Sequence, residues 1–550
     1  MKGARDEQPA QNIRSQVAWI KTQIAQIATV CDSWRAPTTM SSVLDEVVDG
    51  VEPAPGILSV MASSRPAFLV SIDVGTSGVR AALFDDAGGE TMSNHARRRS
   101  EGALSDLGEF DPDALLNEVI TTIDELFASA IVNTGQIQFI AISTFWHSLV
   151  GVNQEGSPTT PLLTWADTRA ARSANELRAS FDETEIHART GCRFHASYWP
   201  AKLLWIRSEW PDRFAATHQW LGFGDYLSLR LFGETSASIS LSSATGLFNQ
   251  RACDWDWDFI RDLNLSPDTL PQIDDESRPR LTASFARRWP ALATARLAVV
   301  IGDGATNNIG AGCSTKDNVA LMVGTSGAMR VVFAGDPPDQ LPPSLWSYRA
   351  TRTRVVVGGA LSDGGGLFRW LRESLNLETT DLESRLASLE PDSHGLTILP
   401  FWSGERSTGW SSAARGGIFG LKQETQPVEI MRAALEAIAY RFALIARDLE
   451  SLAPNANVVA TGNALRSSPV WIQIIADVLG RPIALGNAAE ASIRGAALLA
   501  LEAVGKIATI EDVSVSSAEV FQPDMMRHAR YREGLTRQEE LYQRLFGRKT

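Results

Sequence analysis

Cysteine is scarce: the 550-residue chain has only Cys31, Cys192, Cys253 and Cys313, far apart and without paired metal-ligand spacing. That pattern argues against a disulfide scaffold or a cysteine zinc site, so the four read as reduced structural thiols. Long apolar runs are also missing. No stretch approaches a membrane span, and Met1-Lys2-Gly3-Ala4-Arg5-Asp6 is not followed directly by the apolar core of a secretory signal, so the expectation is a cytoplasmic chain with no membrane partner. Basic charge is in deficit, 51 Lys and Arg against 64 Asp and Glu, and the net charge of −13 disfavours nucleic acid as a partner. An anionic ligand would have to be held locally, by backbone donors and a bound cation. Three nucleotide-site motifs are absent as well: Gly-x4-Gly-Lys-Ser/Thr, Gly-x-Gly-x-x-Gly opening a helix after a strand, and His-Arg-Asp. P-loop, Rossmann and protein-kinase readings drop out.

What the chain does contain is one pentapeptide twice, Val74-Gly75-Thr76-Ser77-Gly78 and Val323-Gly324-Thr325-Ser326-Gly327, each between two apolar, β-branched runs. Each copy predicts a hairpin with a Gly-Thr-Ser-Gly tip. Taken alone, such a tip is good turn chemistry. Its glycines also bring backbone N–H groups close to a ligand and its hydroxyls add donors, so two tips facing each other would clamp a polyphosphate. The duplication, and an acid beside the first tip, favour this second reading.

Residues 1–65 read as an N-terminal extension and linker. Ile13, Val17, Ile20, Ile24 and Ile27 mark a helix over Gln11 to Cys31, and Met61 is an ordinary start just upstream of the first strand, so this segment is expected to take no part in the chemistry. From Phe68, strands, an Asp111-Pro112-capped helix and the buried strand Ile137–Ser143 begin an α/β domain. The aromatic stretch from Thr144 to about Phe248 suits a pocket wall. A second hairpin is followed by a strand at Val355–Val357 and helices at Leu367–Leu375, Ile430–Leu449, Ser468–Leu479 and Ser492–Val504, with a further strand at Val458–Ala460. The halves share a plan, which makes an internal duplication the natural account. At this length two domains are expected, divided at 66–313 and 314–550.

Asp73 stands two residues before the first tip. A carboxylate there would repel phosphate unless a divalent cation lay between, so it reads as the magnesium ligand, with Arg80 on the outgoing strand as a phosphate clamp. Asp303, between two glycines after the short strand Val299–Ile301, suits a general base that takes a proton from an attacking hydroxyl; Gly-Asp-Gly serves equally well as a structural turn, and its place before the second tip favours the base.

With these residues assembled, the chain resembles the FGGY family of carbohydrate kinases, within the actin, Hsp70 and hexokinase superfamily, from about Phe68 to the end. Gly416-Gly417-Ile418-Phe419-Gly420-Leu421 followed after seven residues by Glu429-Ile430-Met431-Arg432-Ala433-Ala434-Leu435-Glu436 is similar to the family's C-terminal pattern position by position. The resemblance implies two ribonuclease-H-like α/β domains around an interdomain cleft, with sugar bound on the N-terminal side and nucleotide on the C-terminal side. It implies ATP and Mg2+ as cofactors, Asp73, Thr76, Ser77 and Arg80 as the first phosphate motif, Gly324 and Thr325 as the second, and Asp303 as catalytic base. Gly462, Asn463 and Arg466 fall in the adenosine motif, with Asn463 where glycine is usual. Within the family the pattern is most similar to gluconate kinases, at Phe145-Trp146-His147-Ser148-Leu149, Thr164-Trp165-Ala166-Asp167-Thr168-Arg169 and Ser243-Ala244-Thr245-Gly246-Leu247-Phe248. Trp146 stands where methionine is common, and Ser362-Asp363 where two asparagines are expected. His147 and Asp167 can bond sugar hydroxyls, Trp146 and Trp165 can lie against C–H faces, Arg169 or Lys202 can pair with a carboxylate, and Tyr198 aligns with a polyol-lining position. His187, His218 and His394 read as ordinary loop or surface residues. Xylulose, ribulose or glycerol as substrate, or a silent sugar sensor, stay open, as does homodimer formation.

Overall fold

The computed structural model describes residues 66–99, 105, 107–129, 137–378, 380–488, 490–515 and 517–547; the helix expected over Gln11–Cys31 lies outside them. Around the first tip, Leu69–Gly75 (β1) and Gly78–Phe84 (β2) pair antiparallel, placing Asp73 opposite Arg80. Glu90–Arg99 (β3) extends the meander beyond β2, while Phe139–Thr144 (β4) and Arg296–Gly302 (β5) add in parallel on the other side, giving the order β5-β4-β1-β2-β3. Because side chains alternate along a strand, Val70, Ile72 and Val74 point to one face of β1 and Leu69, Ser71 and Asp73 to the other. The first face takes the helix Pro112–Ser129 (α1), whose Leu115, Leu116, Val119 and Ile123 join its core and whose first turn is capped by Asp111.

The second half repeats this plan. Asn318–Val323 (β6) and Gly327–Ala334 (β7) form the second hairpin, and the sheet runs β8-β9-β7-β6-β10-β11-β12, where β8 is Trp346–Thr351, β9 Arg354–Leu361, β10 Asn457–Thr461, β11 Ile483–Gly486 and β12 Ser517–Phe521. Without its outer strands β8 and β12, the order is that of the first sheet, with the same parallel and antiparallel pairings. Both halves are ribonuclease-H-like. Asp303–Gly310 (α2), Gly365–Ser374 (α3), Pro427–Leu449 (α4) and Ala491–Ala503 (α5) are the helices that matter for the site. α4 starts a turn earlier than its apolar pattern predicts, because Pro427 suits the first helical position and Glu429 folds back to accept from the Gln426 N–H at 2.7 Å.

Packing crosses the boundary expected at 313/314. Ile493, Ala496, Ala497 and Ala500 of α5 cover Leu69, Ala82, Phe84 and Ala141 of the first sheet, and the Ser71 hydroxyl donates to Ile493 O at 2.7 Å. α5 also crosses α2 at backbone contact: a Cβ on Gly310 would stand 1.8 Å from Ala491 O, and one on Gly495 1.9 Å from Thr306 O. Trp346 and Tyr348 of β8, stacked with ring centres 4.1 Å apart, enter the core of the first sheet. Cys192, Cys253 and Cys313 are buried free thiols. Among the described residues no helix is long and apolar enough to cross a membrane.

Candidate active site

The two tips face one another. Thr76 and Ser77 from the first and Gly324, Thr325 and Ser326 from the second line a cavity of about 360 Å3 together with Asp73, Asp303 and Arg330. A neighbouring cavity of about 870 Å3 shares Thr76, Ser77, Trp165 and Thr325 with it.

Asp73 is buried at the end of β1, where its Oδ1 accepts from the Ser143 hydroxyl at 2.8 Å and its Oδ2 from Arg80 at 2.9 Å. Burial raises its pKa, against Arg80 and Ser143, which pull it down. Arg80 also lies 3.2 Å from Glu490, so it is ion-paired to two acids and holds Asp73 instead of reaching out as the phosphate clamp expected of it. Each Asp73 oxygen accepts only one of these bonds and keeps further acceptor capacity, and Asp303 and Glu490 line the same cavity. Such hard oxygen donors fit magnesium.

Asp303 opens α2. Its carboxylate accepts from the backbone N–H groups of Gly304 and Trp146, yet burial pushes its pKa up to about 6, with Arg330 lowering it and Asp73 raising it. The flanking glycines have a reason the sequence conceals. A Cβ on Gly302 would stand 1.8 Å from Trp146 Nε1 and one on Gly304 2.2 Å from Trp146 Cζ3, so both are absent to admit the indole. Two hydroxyls in series back Asp73: Ser143 donates to its carboxylate, and Thr306 lies 2.9 Å from Ser143 and donates to it, with the Asp303 backbone carbonyl at 3.0 Å as its alternative acceptor.

On the acceptor side several expectations change. Trp146 is buried, donates from Nε1 to Ser240 O at 3.0 Å and packs edge-on against Tyr348; it lies beneath Asp303 instead of presenting a face to the cleft. Arg169 is bound by Asp167 and, at 2.5 Å, by Glu109, and its guanidinium lies over the Trp205 and Trp210 rings. Asp167 is therefore occupied by Arg169, and neither residue lines either cavity. Lys202 is buried and donates to His147 O at 2.7 Å. That bond anchors His147, whose φ of 66° lies in the left-handed region. Burial draws the Lys202 pKa down to about 7. The sign follows: the unfolded chain binds the extra proton between about pH 7 and the ordinary lysine value, so stability rises with pH across that window. Lys202→Met should flatten this rise, read as a melting-temperature difference from wild type that moves in the variant's disfavour from pH 7 upward; a constant difference would refute a titrating Lys202.

His147 itself is held in a fixed orientation. Its Nδ1 donates to Ala244 O at 2.7 Å, and burial, together with Arg406, Lys202 and His195, holds its pKa near 3, so the ring is neutral and Nε2 is an acceptor for a hydroxyl. Trp165 lines both cavities as expected, whereas the Tyr198 hydroxyl is buried against Tyr348 at 2.6 Å. His187 and His394 are not surface residues: His187 donates to Leu345 O at 2.9 Å, and His394 lies 3.0 Å from the buried Glu436. Asp363, where asparagine was expected, accepts from the Ser403 N–H and hydroxyl, both at 3.0 Å.

On the other side, Gly462 and Asn463 line the cleft. Gly462 has a φ of 92°, and a Cβ there would stand 2.3 Å from Val323 O, so glycine is required twice over. Arg466 points away from the cleft and clamps the carbonyls of Gly486 and Ala488, which makes it a support for that loop.

Models of the FGGY family of carbohydrate kinases match residues 68–310 with the N-terminal domain and 319–504 with the C-terminal domain. The chain belongs to this family. The FGGY kinase is 28% identical to a gluconokinase of Bacillus subtilis over 81% of its own length and 90% of the relative's. It is also 28% identical to a glycerol kinase of Koribacter versatilis, over 80% and 90%. The crystal structure of a gluconate kinase from Lactobacillus acidophilus superposes with a TM-score of 0.78 at 25% identity, covering 87% of this chain and 98% of that one. The cleft of this FGGY kinase is also lined by residues its motifs do not mark, Arg330 and Glu490, and Arg406 lies behind it against the Trp165 ring. Only Arg330 left a trace in the sequence, as a lone charge in an otherwise apolar strand.

Proposed function

We propose that this FGGY kinase transfers the γ-phosphate of ATP to a hydroxyl of D-gluconate, forming 6-phosphogluconate and ADP. The observation that carries the transfer is Asp303, a buried carboxylate with its pKa raised to about 6, in the cleft between two phosphate-type tips. Asp303 takes the proton of the acceptor hydroxyl as its oxygen attacks the γ-phosphorus and ADP departs. His147 Nε2 accepts from a second hydroxyl and fixes the sugar against Trp165. The N–H and hydroxyl groups of Thr76, Ser77, Gly324 and Thr325 hold the transferred phosphate, and the backbone at Gly462 and Asn463 borders the nucleotide. Magnesium, held by Asp73 directly or through water, supplies positive charge against the phosphates. Closure of the cleft excludes water, so that phosphate passes to sugar.

Gluconate is favoured by the gluconokinase and gluconate kinase likenesses; the equally identical glycerol kinase keeps a neutral polyol as the second reading. ADP formation from Mg-ATP with gluconate, xylulose, ribulose, erythritol and glycerol decides between them. Selective turnover of gluconate is expected. Turnover of a neutral polyol instead discards gluconate and keeps the kinase, and ATP binding without turnover of any of them favours a sensor.

A further inference from the structure

Two buried arginines beside the acceptor side of the cleft have unmet hydrogen-bonding capacity. Arg330, on β7, is 4% exposed, and its Nε and Nη2 are buried with no hydrogen-bond partner. Its Nη1 borders Gly304, beside the base, and the residue lines the cavity that holds both tips. Arg406 is 8% exposed; one nitrogen donates to Leu361 O at 2.7 Å, Nε has no partner, and the guanidinium lies 4.5 Å above the Trp165 ring that walls the same cavity. The nearby acids Asp303 and Asp363 offset part of this charge but carry hydrogen bonds from other donors. Asp303 accepts from the Gly304 and Trp146 N–H groups, and Asp363 from Ser403. Burying guanidinium N–H groups without acceptors costs free energy, and two like charges near one another add to it. Arg330 is drawn down to about 10 by burial, with Asp303 raising it and Arg406 lowering it. Such an arrangement persists where an anion completes it.

We infer that Arg330 and Arg406 form the subsite that receives the carboxylate of the acceptor, between the Trp165 ring and Asp303. The inference rests on the kinase reading and deepens it: the acceptor is a polyhydroxy monocarboxylate. The planar fork of each guanidinium suits a carboxylate's two oxygens. It also replaces the earlier assignment of that role to Arg169 or Lys202, which hold Asp167, Glu109 and His147 O and line neither cavity.

The test compares an acid with its neutral counterpart of equal length, D-gluconate and D-glucitol, by kcat/KM and by ligand-induced thermal shift without ATP. Wild type should prefer the acid in both. Arg330→Met and Arg406→Met should each lower the acid-over-alcohol ratio roughly 100-fold, the scale of a lost charge-assisted pair, mainly through KM, with Arg330→Lys recovering part of it. Because removing Arg330 also changes the field on Asp303, rates are read at about pH 8.5, where that carboxylate is ionised in both proteins. The melting temperature of the ligand-free variants should change little, since the nitrogens removed include the buried, unpartnered Arg330 Nε and Nη2 and Arg406 Nε. Loss of both substrates in parallel, with the ratio unchanged, would assign the guanidinium to the transferred phosphate and overturn the subsite. A wild type that turns over or binds the alcohol as well as the acid would overturn it too, leaving the kinase intact. If neither substrate yields ADP, the gluconate reading fails, and the thermal shift still decides whether the arginines select the acid.

Discussion

Asp303→Asn should lower kcat by roughly 10³-fold, within the range for loss of a positioned general base, while ATP binding is retained. The substitution keeps the side chain's shape beneath the cleft but leaves no group to take the hydroxyl proton. Part of the carboxylate's hydrogen bonding also changes, because an amide cannot accept at both ends from the Gly304 and Trp146 N–H groups that the native side chain engages. Steady-state ADP formation and nucleotide-binding calorimetry separate the two effects; near-normal turnover in the variant removes Asp303 as the base. The wild-type pH profile gives an independent reading. Burial holds Asp303 near 6, and the base must be ionised, so kcat should climb tenfold per unit as pH rises towards about 6 and level off above it. Asp303→Asn should lack that limb.

Gly495→Ala is expected to cost roughly 3 kcal/mol of stability or more, since an overpacked contact here has no side chain to move aside. The new Cβ would stand 1.9 Å from Thr306 O and 2.6 Å from its carbonyl carbon, both backbone atoms of α2. Alanine's helix propensity returns only about 1 kcal/mol. Relief requires α5 and α2 to part, and Thr306 belongs to the hydroxyl chain that reaches Asp73 through Ser143, so activity should fall with stability. A denaturation midpoint equal to wild type would show that the crossing can relax.

The parts of this enzyme legible in its sequence are those that local chemistry dictates. Gly-Thr-Ser-Gly between β-branched runs specifies a hairpin whatever surrounds it, and finding it twice disclosed both sheets and the facing tips. The acids beside the tips were legible for the same reason. What escaped was every property set by a distant neighbour. Arg169 looked available until Glu109, Trp205 and Trp210 met it, and Arg466 until the carbonyls of Gly486 and Ala488 did. The glycines around Asp303 suggested a turn, but they are there for Trp146. Arg330 and Arg406 are the converse: what distinguishes them is that buried nitrogens find no partner, and no motif records an absence of contacts.

α5 gives the molecule a particular order of assembly. One face of the first sheet, with Leu69, Ala82, Phe84 and Ala141, is covered by residues 493–501, which follow nearly the whole second domain in the chain. As the polypeptide leaves the ribosome, the first sheet can pair its strands and seat α1 early, but its underside stays uncovered until α5 has been made. Through that interval the nascent chain carries an apolar, half-finished domain, and its completion waits on residues 493–501.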